Sequence, residues 1–228
     1  MSELGYMSKA QDNLFIAYNN IDEYLKDLKN ALTKEHKRYG EVGVLKDGKR
    51  IQINTSIIQI ENEYYSSIRP KRVTPPGERP INILRNEGID YVEIRALDNN
   101  SFLPSGIDED TSYFLEAYLI GCFFGEDKKS TQEEIKELLM NWENVVKEGR
   151  NPNLRLLKDK EKVTIKDSGM QVIDSLRNIF DQMPPEMSEY VKKVMKSLDR
   201  QEEKLNDSSL TPSGLIVDEL KNSNKTWE

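Results

Sequence analysis

The segment that most constrains how this chain can fold is Tyr91-Val-Glu-Ile-Arg-Ala-Leu-Asp98, which is typical of a β-strand. Side chains alternate across a strand, so Glu93 and Arg95 share one face while the apolar Val92 and Ile94 point to the other. The apolar face is expected to be buried. The opposite face then presents an acid and a base side by side.

That charged face admits two interpretations. A carboxylate and a guanidinium about 7 Å apart, from a rise of roughly 3.3 Å per residue, suit a magnesium-phosphate centre. In such a centre the carboxylate holds the metal and the arginine forks onto phosphoryl oxygens. The alternative is a salt bridge at the surface of a sheet. The segment alone leaves both interpretations open.

A second strand is predicted over residues 50–65, because the run is rich in β-branched and aromatic residues and follows an Asp-Gly turn signal at Asp47. Alternation would then place four polar side chains on one face: Gln59, Glu61, Glu63 and Tyr65. They could line a cavity, or they could form a solvated sheet face. The prolines that follow predict an ordered loop over residues 69–85. Within it, Arg69-Pro-Lys-Arg72 is a local basic patch that could meet phosphate, although a solvated loop without function is the favoured interpretation.

Helical spacing of apolar residues predicts the remaining elements. One helix follows the N-cap Asn20, and a largely apolar helix covers residues 108–124. A third begins at the capping box Ser130-Thr-Gln-Glu133 and ends at Gly149. Apolar stripes over residues 172–180 and 190–198 then predict that the second half is entirely helical.

The chain carries four ordered segments: Leu4-Gly-Tyr-Met-Ser-Lys9, Gln59-Ile-Glu-Asn-Glu-Tyr-Tyr65, Ile68-Arg-Pro-Lys-Arg72 and Gly88-Ile-Asp-Tyr-Val-Glu-Ile-Arg-Ala-Leu-Asp98. In order and spacing they resemble the proteobacterial type of glutamate-cysteine ligase. Weaker similarity continues to residue 213, so the resemblance covers most of this chain but only the later part of the family's length. It implies an α+β fold. A partial antiparallel sheet of glutamine-synthetase type, the C-terminal part of the catalytic sheet domain, would occupy residues 1–129, and a helical subdomain and tail residues 130–228.

The resemblance also implies an activity. In the family, ATP phosphorylates the side-chain carboxylate of glutamate, and the cysteine amine attacks the acyl phosphate to give γ-glutamylcysteine in the first step of glutathione biosynthesis. On this basis Glu93 matches a magnesium ligand, and Arg95 matches the arginine that stabilises the transferring phosphoryl group. Tyr6 and Tyr65 match tyrosines that contact the cysteine substrate. ATP and Mg²⁺ are the implied cofactors, and no residue is assigned to adenine.

Most metal-binding carboxylates of the family lie in an N-terminal half without a counterpart here, and one glutamate supplies too few ligands for the magnesium ions. The isolated chain is therefore expected to be inactive and to need a complementary N-terminal half. A fragmentary gene model, a split enzyme and a decayed remnant all fit the sequence. The alternative function is a non-catalytic structural or partner-binding module on the same scaffold.

Composition and charge restrict the classes of partner that the chain is expected to bind. The formal net charge of -7 argues against a nucleic-acid partner. Cys122, the only cysteine, lies inside the apolar run of residues 113–124 and is predicted to be buried. No apolar run is long enough to span a bilayer and no signal pattern begins the chain, so we expect no membrane partner and a cytoplasmic location.

Overall fold

The computed structural model describes residue 11 and residues 14–223. These residues form a mixed α+β fold of helices and small antiparallel sheets, which confirms the predicted fold class. They group into two compact units: residues up to 97 with 128–136, and residues 98–127 with those from 137 onwards. The domain boundary expected at residue 130 stays a prediction.

Helices and two short antiparallel sheets of two strands each make up the first unit. Its helices are α1 (Ile21–Thr33), α2 (Lys37–Val42) and α3 (Pro80–Glu87). Its strands are β1 (Leu45–Lys46), β2 (Lys49–Arg50), β3 (Ile68–Lys71) and β4 (Tyr91–Ile94), which pair as β1 with β2 and β3 with β4.

The second unit is mostly helical. Its elements are α4 (Glu109–Phe124), β5 (Arg155–Lys158), β6 (Glu161–Thr164), α6 (Ile165–Phe180), α7 (Ser188–Asn206) and α8 (Pro212–Ser223), and α5 (Gln132–Glu148) belongs to it from residue 137. Among the described residues, no helix has the length and apolar character needed to cross a membrane.

Helix α1 forms where the sequence predicts it and organises the core of the first unit. The Asn20 side chain accepts a hydrogen bond from the backbone N–H of Glu23 at 2.8 Å, as expected of an N-cap. The inner face of the helix is buried against the loop after β2 and against α3. This core contains Leu25, Leu28, Ala31, Ile58, Ile81 and Leu84.

The strand predicted over residues 50–65 is wrong. The Asp47-Gly48 turn is present, with φ values of 50° and 74°, but the strand ends at Arg50 and only one further backbone bond follows, from the N–H of Ile51 to the carbonyl of Val44 at 3.0 Å. Residues 51–60 are irregular, and a 3₁₀ turn follows at Glu61–Glu63. The reason is local hydrogen bonding by amide side chains: Gln52 Nε2 donates to the carbonyl of Gly43 at 2.7 Å, for example. Such bonds offer the backbone an alternative to a sheet ladder.

The proline-rich loop predicted over residues 69–85 is also wrong, because two of its prolines occupy tolerated positions. Pro80 is the first residue of α3, where its missing N–H would have no helical partner. Pro70 lies within β3, opposite Val92 of β4. Proline is compatible with a strand whose N–H side faces away from its neighbour.

Strand β4 covers only the first half of the segment predicted as a strand. The extended pairing continues one step further, since the N–H of Arg95 donates to the carbonyl of Ser67 at 2.7 Å. The expectation that the Val92 face is buried is wrong: Val92 is 41% exposed, although Ile94 is half-buried. Within the described residues β4 pairs only with β3, and a two-stranded ribbon covers little of either face.

The core of the second unit lies where α4, α6 and α7 meet. The fully buried residues there are Ala117, Ile173, Leu176, Phe180, Val194 and Leu198. Gly121 allows α4 to approach α6 closely, because a Cβ at this position would collide with the Leu176 side chain. Arg177 joins α6 to α7 through Asp199 and Glu202, each at 2.6 Å.

Three further expectations for this part of the chain need correction. The second half is not entirely helical, because β5 and β6 form an antiparallel hairpin. Its turn residues Asp159 and Lys160 have positive φ without a glycine, so the usual signal is missing. Cys122 is exposed, because α4 is apolar on most sides but packs mainly through the face that carries Ala117. The capping box of α5 is formed by Thr131 and Glu134, one residue later than predicted.

The N-cap of helix α4 should stabilise the fold less at acid pH. Asp108 accepts a hydrogen bond from the N–H of Thr111 at 2.6 Å, and the hydrogen bonding of Thr111 holds the pKa of Asp108 below its usual 3.8. A carboxylate with a lowered folded-state pKa stabilises the fold fully above its unfolded pKa, and this contribution is lost as the pH falls through the folded value.

We therefore expect the stability advantage of the parent chain over Asp108→Asn to shrink as the pH falls below 3.8. Asparagine keeps an acceptor for the cap but does not titrate. Urea unfolding of both proteins at neutral and at acid pH measures the difference. A free-energy gap that stays constant through this range would contradict the role of the charged cap.

Candidate functional site

Glu93 and Arg95 lie together near the end of β4, as the alternation predicts. Arg95 Nη2 donates a hydrogen bond to Glu93 Oε1 at 3.0 Å. Both side chains are partly open to solvent, with 32% of Glu93 and 36% of Arg95 exposed. Each side chain is thus partly open to solvent while the two groups neutralise each other.

Tyr65, which lies three residues before the start of β3, is next to this pair. The guanidinium carbon of Arg95 lies 5.3 Å from the centre of the Tyr65 ring, a cation–π distance. The contact arises because β3 pairs with β4, which brings the residues just before β3 beside the end of β4. Three of the four predicted site residues are therefore neighbours. The fourth, Tyr6, lies outside the described residues.

Two cations of β3 extend the site and were missed as site residues. Lys71 Nζ lies 4.0 Å from Glu93 Oε2, and Arg69 stands directly opposite Glu93 in the ladder. The hydrogen bond from Arg95, helped by the charges of Arg95, Lys71 and Arg69, holds the pKa of Glu93 below its usual range. The basic run Arg69-Pro-Lys-Arg72 was the available sequence signal. Its position beside Glu93 follows only once β3 is known to pair with β4.

One oxygen of Glu93 is left without a hydrogen-bond partner. Glu93 Oε2 is shielded from solvent and accepts no hydrogen bond, since Lys71 is too far away for one. An ionised carboxylate oxygen of this kind is suited to a hard cation such as Mg²⁺. The described residues contain no group of three or more side chains able to hold a metal ion. Among the described residues, Glu93 is thus not part of such a group.

The acidic residues before Tyr65 do not form the row predicted for a strand face. Glu61 is 7% exposed, and its Oε1 is 2.9 Å from Arg79 Nη2. Glu63 turns back to accept the N–H of Gln59 at 2.8 Å. In a 3₁₀ turn successive side chains do not alternate between two faces. Both carboxylates hold the turn that leads into Tyr65.

A cluster of two tyrosines, Tyr18 and Tyr64, anchors the chain next to Tyr65. Burial raises the pKa of Tyr64, whose hydroxyl lies 3.5 Å from that of Tyr18. The Tyr18 hydroxyl is also 2.8 Å from Ser66 Oγ and 2.9 Å from the carbonyl oxygen of Ile68. The residues on both sides of Tyr65 are thus held in place next to Arg95.

Comparison with solved structures defines the class of fold. A crystal structure of glutamate-cysteine ligase from Francisella tularensis in complex with AMP matches with a TM-score of 0.86 and 38% identity, over 96% of this chain and 43% of that one. A bifunctional glutathione synthetase from Pasteurella multocida matches with a TM-score of 0.61 at 17% identity, which shows a shared fold only. The described ribbon and helices are thus part of a ligase fold.

Sequence comparison then defines the family. The family model for glutamate-cysteine ligase matches residues 1–145, well over half of the chain, and the chain belongs to this family. The glutamate-cysteine ligase of Pseudomonas putida is 42% identical over 220 residues, and that of a Janthinobacterium species is 36% identical over 228 residues. The chain spans about two fifths of the length of these relatives, 41% and 43%.

Proposed function

We propose that this chain is the C-terminal part of an ATP-dependent ligase that joins the side-chain carboxylate of L-glutamate to L-cysteine. The product would be γ-glutamylcysteine, and the reaction the first step of glutathione biosynthesis. The observation that carries the proposal is the grouping of Glu93, Arg95 and Tyr65 in a fold that matches a ligase crystallised with AMP. The membership of the family supports the same reaction.

The charges around Glu93 support binding of a nucleotide polyphosphate. Arg69, Lys71 and Arg95 surround a single carboxylate, so the site as described has an excess of positive charge. A fixed guanidinium that meets charge as it develops on a transferring phosphoryl group lowers the barrier to transfer. We assign this role to Arg95, whose planar fork suits phosphoryl oxygens.

Glu93 is the residue that would hold Mg²⁺. The hydrogen bond from Arg95 holds its pKa below the usual range, and Oε2 accepts no hydrogen bond. When bound, Mg²⁺ neutralises phosphate charge and orients the phosphates. The remaining ligands would come from the part of the longer relatives that this chain does not match.

The tyrosines would contact the cysteine substrate. Tyr65 is half-buried with its ring against Arg95, so its hydroxyl can occupy only a few positions. A phenol can donate a hydrogen bond to a substrate carboxylate. We extend the same role to Tyr6 on the resemblance alone. We further propose that the assembled protein works in the cytoplasm, with neither nucleic acid nor membrane as a partner.

A second candidate is a non-catalytic scaffold or partner-binding module. The observation that favours it is that Glu93 and Arg95 already form an ion pair with each other, which a structural salt bridge would do as well. Such a module would assemble with an N-terminal half without turning over substrate.

The test is to assay ATP-dependent formation of γ-glutamylcysteine by this chain alone and by the chain co-expressed with the N-terminal part of the Pseudomonas putida relative. We expect activity in the combined preparation only, because the described residues do not supply a complete metal site. Turnover by the chain alone would contradict the proposed dependence on a partner. An assembled but inactive preparation would favour the scaffold.

A further inference from the structure

The second unit encloses a cavity of about 850 Å³ between its helices. The lining comes from α4, the loop between α5 and β5, the first half of α6, the end of α7 and the turn before α8. All of these segments belong to the same unit, so the shape of the cavity is set within that unit. Sites for small molecules typically have volumes of about 300–1,000 Å³. The cavity is therefore large enough for a small organic ligand.

Most of the cavity wall is apolar, and part of it is aromatic. Phe114 and Tyr118 of α4 both line the cavity, and their ring centres lie 6.2 Å apart. An aromatic ligand can pack against such rings in an offset or edge-to-face arrangement. Aliphatic side chains form other parts of the wall: Leu154, Ile165, Val172, Ile173 and Leu205. This lining suits a ligand with an apolar, ring-shaped body.

The charged groups of the lining are mainly positive. Arg150 and Lys166 line the cavity, and neither forms an ion pair in the part of the chain that the structure describes. Lys204 is a third cation, although Asp108 is close enough to offset its charge. Among the described lining residues, Asp167 is the one carboxylate. A positive cavity in a chain with a net charge of -7 is complementary to an anion.

Two polar features of the same cavity also suit an acidic group. The first turn of the 16-residue helix α6 lines the cavity, and the N-terminal end of a helix carries partial positive charge. The Gln201 side chain is part of the wall, and its Nε2 is shielded from solvent without a hydrogen-bond partner. An unsatisfied donor is costly, so a ligand oxygen reached by rotation of this amide would stabilise it.

We propose that this cavity binds a small organic anion with an aromatic body, such as an aromatic carboxylate. The acidic group lies beside Arg150 and Lys166, and the ring packs against Phe114 and Tyr118. An inorganic anion would leave the apolar walls without contacts, and a neutral apolar molecule would not use the cations. The proposal does not rest on the ligase reaction, because the residues assigned to that reaction belong to the first unit.

Calorimetric titration of the full chain at neutral pH with three probes tests the charge and the ring separately. 1-Naphthoate has both features, 1-naphthamide has the ring without the charge, and acetate has the carboxylate without the ring. We expect 1-naphthoate to bind at least about tenfold more tightly than either of the other probes, because it alone meets both the cations and the apolar wall.

A pair of double variants then locates the charge effect. Arg150→Gln with Lys166→Gln should weaken the binding of 1-naphthoate by at least about fivefold and leave that of 1-naphthamide unchanged. The matched control is Lys160→Gln with Lys162→Gln, which removes the same charge from exposed positions of the β5–β6 hairpin outside the lining. The control should bind 1-naphthoate like the parent. Far-UV circular dichroism checks that both variants keep their helices.

A second measurement on the parent chain needs no loss of a charged group. Nuclear Overhauser effects from the ring protons of 1-naphthoate should reach the methyl groups of Ile165 and Ile173, which line the cavity. Conservative Ile→Val substitutions assign the two signals. Ile81 serves as the internal control, because it is buried in the core of the first unit and should show no such effect.

Several outcomes would overturn the proposal. Absence of 1-naphthoate binding, or equal affinity for 1-naphthoate and 1-naphthamide, would mean that the cations do not select an anion. Acetate bound as tightly as 1-naphthoate would remove the role of the ring. Equal weakening by the two double variants would reduce the effect to net charge, and contacts with isoleucines outside the cavity alone would place the ligand elsewhere. None of these readouts depends on γ-glutamylcysteine formation, so the proposed function stands or fails separately.

Discussion

Arg95→Ala is expected to slow γ-glutamylcysteine formation in the combined preparation by about 10²- to 10³-fold, the usual cost of removing an electrostatic stabiliser of the transition state. The guanidinium is held between Glu93 Oε1 at 3.0 Å and the Tyr65 ring at 5.3 Å, so its position is set before substrate binds. Preorganised charge of this kind acts without reorganisation during the reaction. The effect should therefore appear mainly in kcat.

Two further variants separate this role from a structural one. Arg95→Lys keeps the charge but not the planar fork, and should fall between the parent and Arg95→Ala. Arg85→Ala removes an exposed arginine from the last turn of α3 and should leave the rate unchanged. If Arg95→Ala turned over substrate as fast as Arg85→Ala in an assembled preparation, the catalytic role of Arg95 would be wrong.

Phe180→Ala is expected to destabilise the second unit by about 3–5 kcal/mol, the range found when a buried aromatic ring is truncated. Phe180 is 1% exposed at the junction of α6 with α7, and its ring centre lies 6.0 Å from that of Tyr190. Loss of the ring leaves a cavity that neighbouring helices can fill only in part. Urea unfolding monitored by circular dichroism measures the change in free energy.

The matched control is Phe123→Ala, since Phe123 is 84% exposed on α4 of the same unit. Removing an exposed ring typically changes stability by no more than about 0.5 kcal/mol. Similar losses for the two variants would mean that Phe180 is not part of a packed core. The comparison holds residue type constant and changes only burial.

Features that depend only on residues close together in the sequence could be predicted from the sequence. The N-cap of α1, the limits of α4 and the shared face of Glu93 and Arg95 all follow from spacing along one element. These features need no knowledge of what lies across the fold. The same local logic placed the capping box of α5 one residue early, because Ser130 and Thr131 are chemically equivalent as caps.

Features that depend on residues far apart in the sequence could not be predicted from it. The exposure of Val92 and Cys122 depends on which faces neighbouring elements cover, and periodicity does not report this. The irregular path of residues 51–60 depends on amide side chains that satisfy backbone groups across several residues. For the site, the grouping of Lys71 with Glu93 required the register between β3 and β4.

Pro70 makes the two outer edges of the β3–β4 ribbon unequal in their ability to pair with a further strand. The bond from the N–H of Arg95 to Ser67 fixes which residues bond across the ribbon, so the backbone groups of Pro70 and Val92 point outward on opposite edges. Proline has no N–H, so the outer edge of β3 lacks one donor for a further strand. The outer edge of β4 keeps both groups of Val92. Extension of the sheet is therefore favoured beside β4, the strand that carries Glu93.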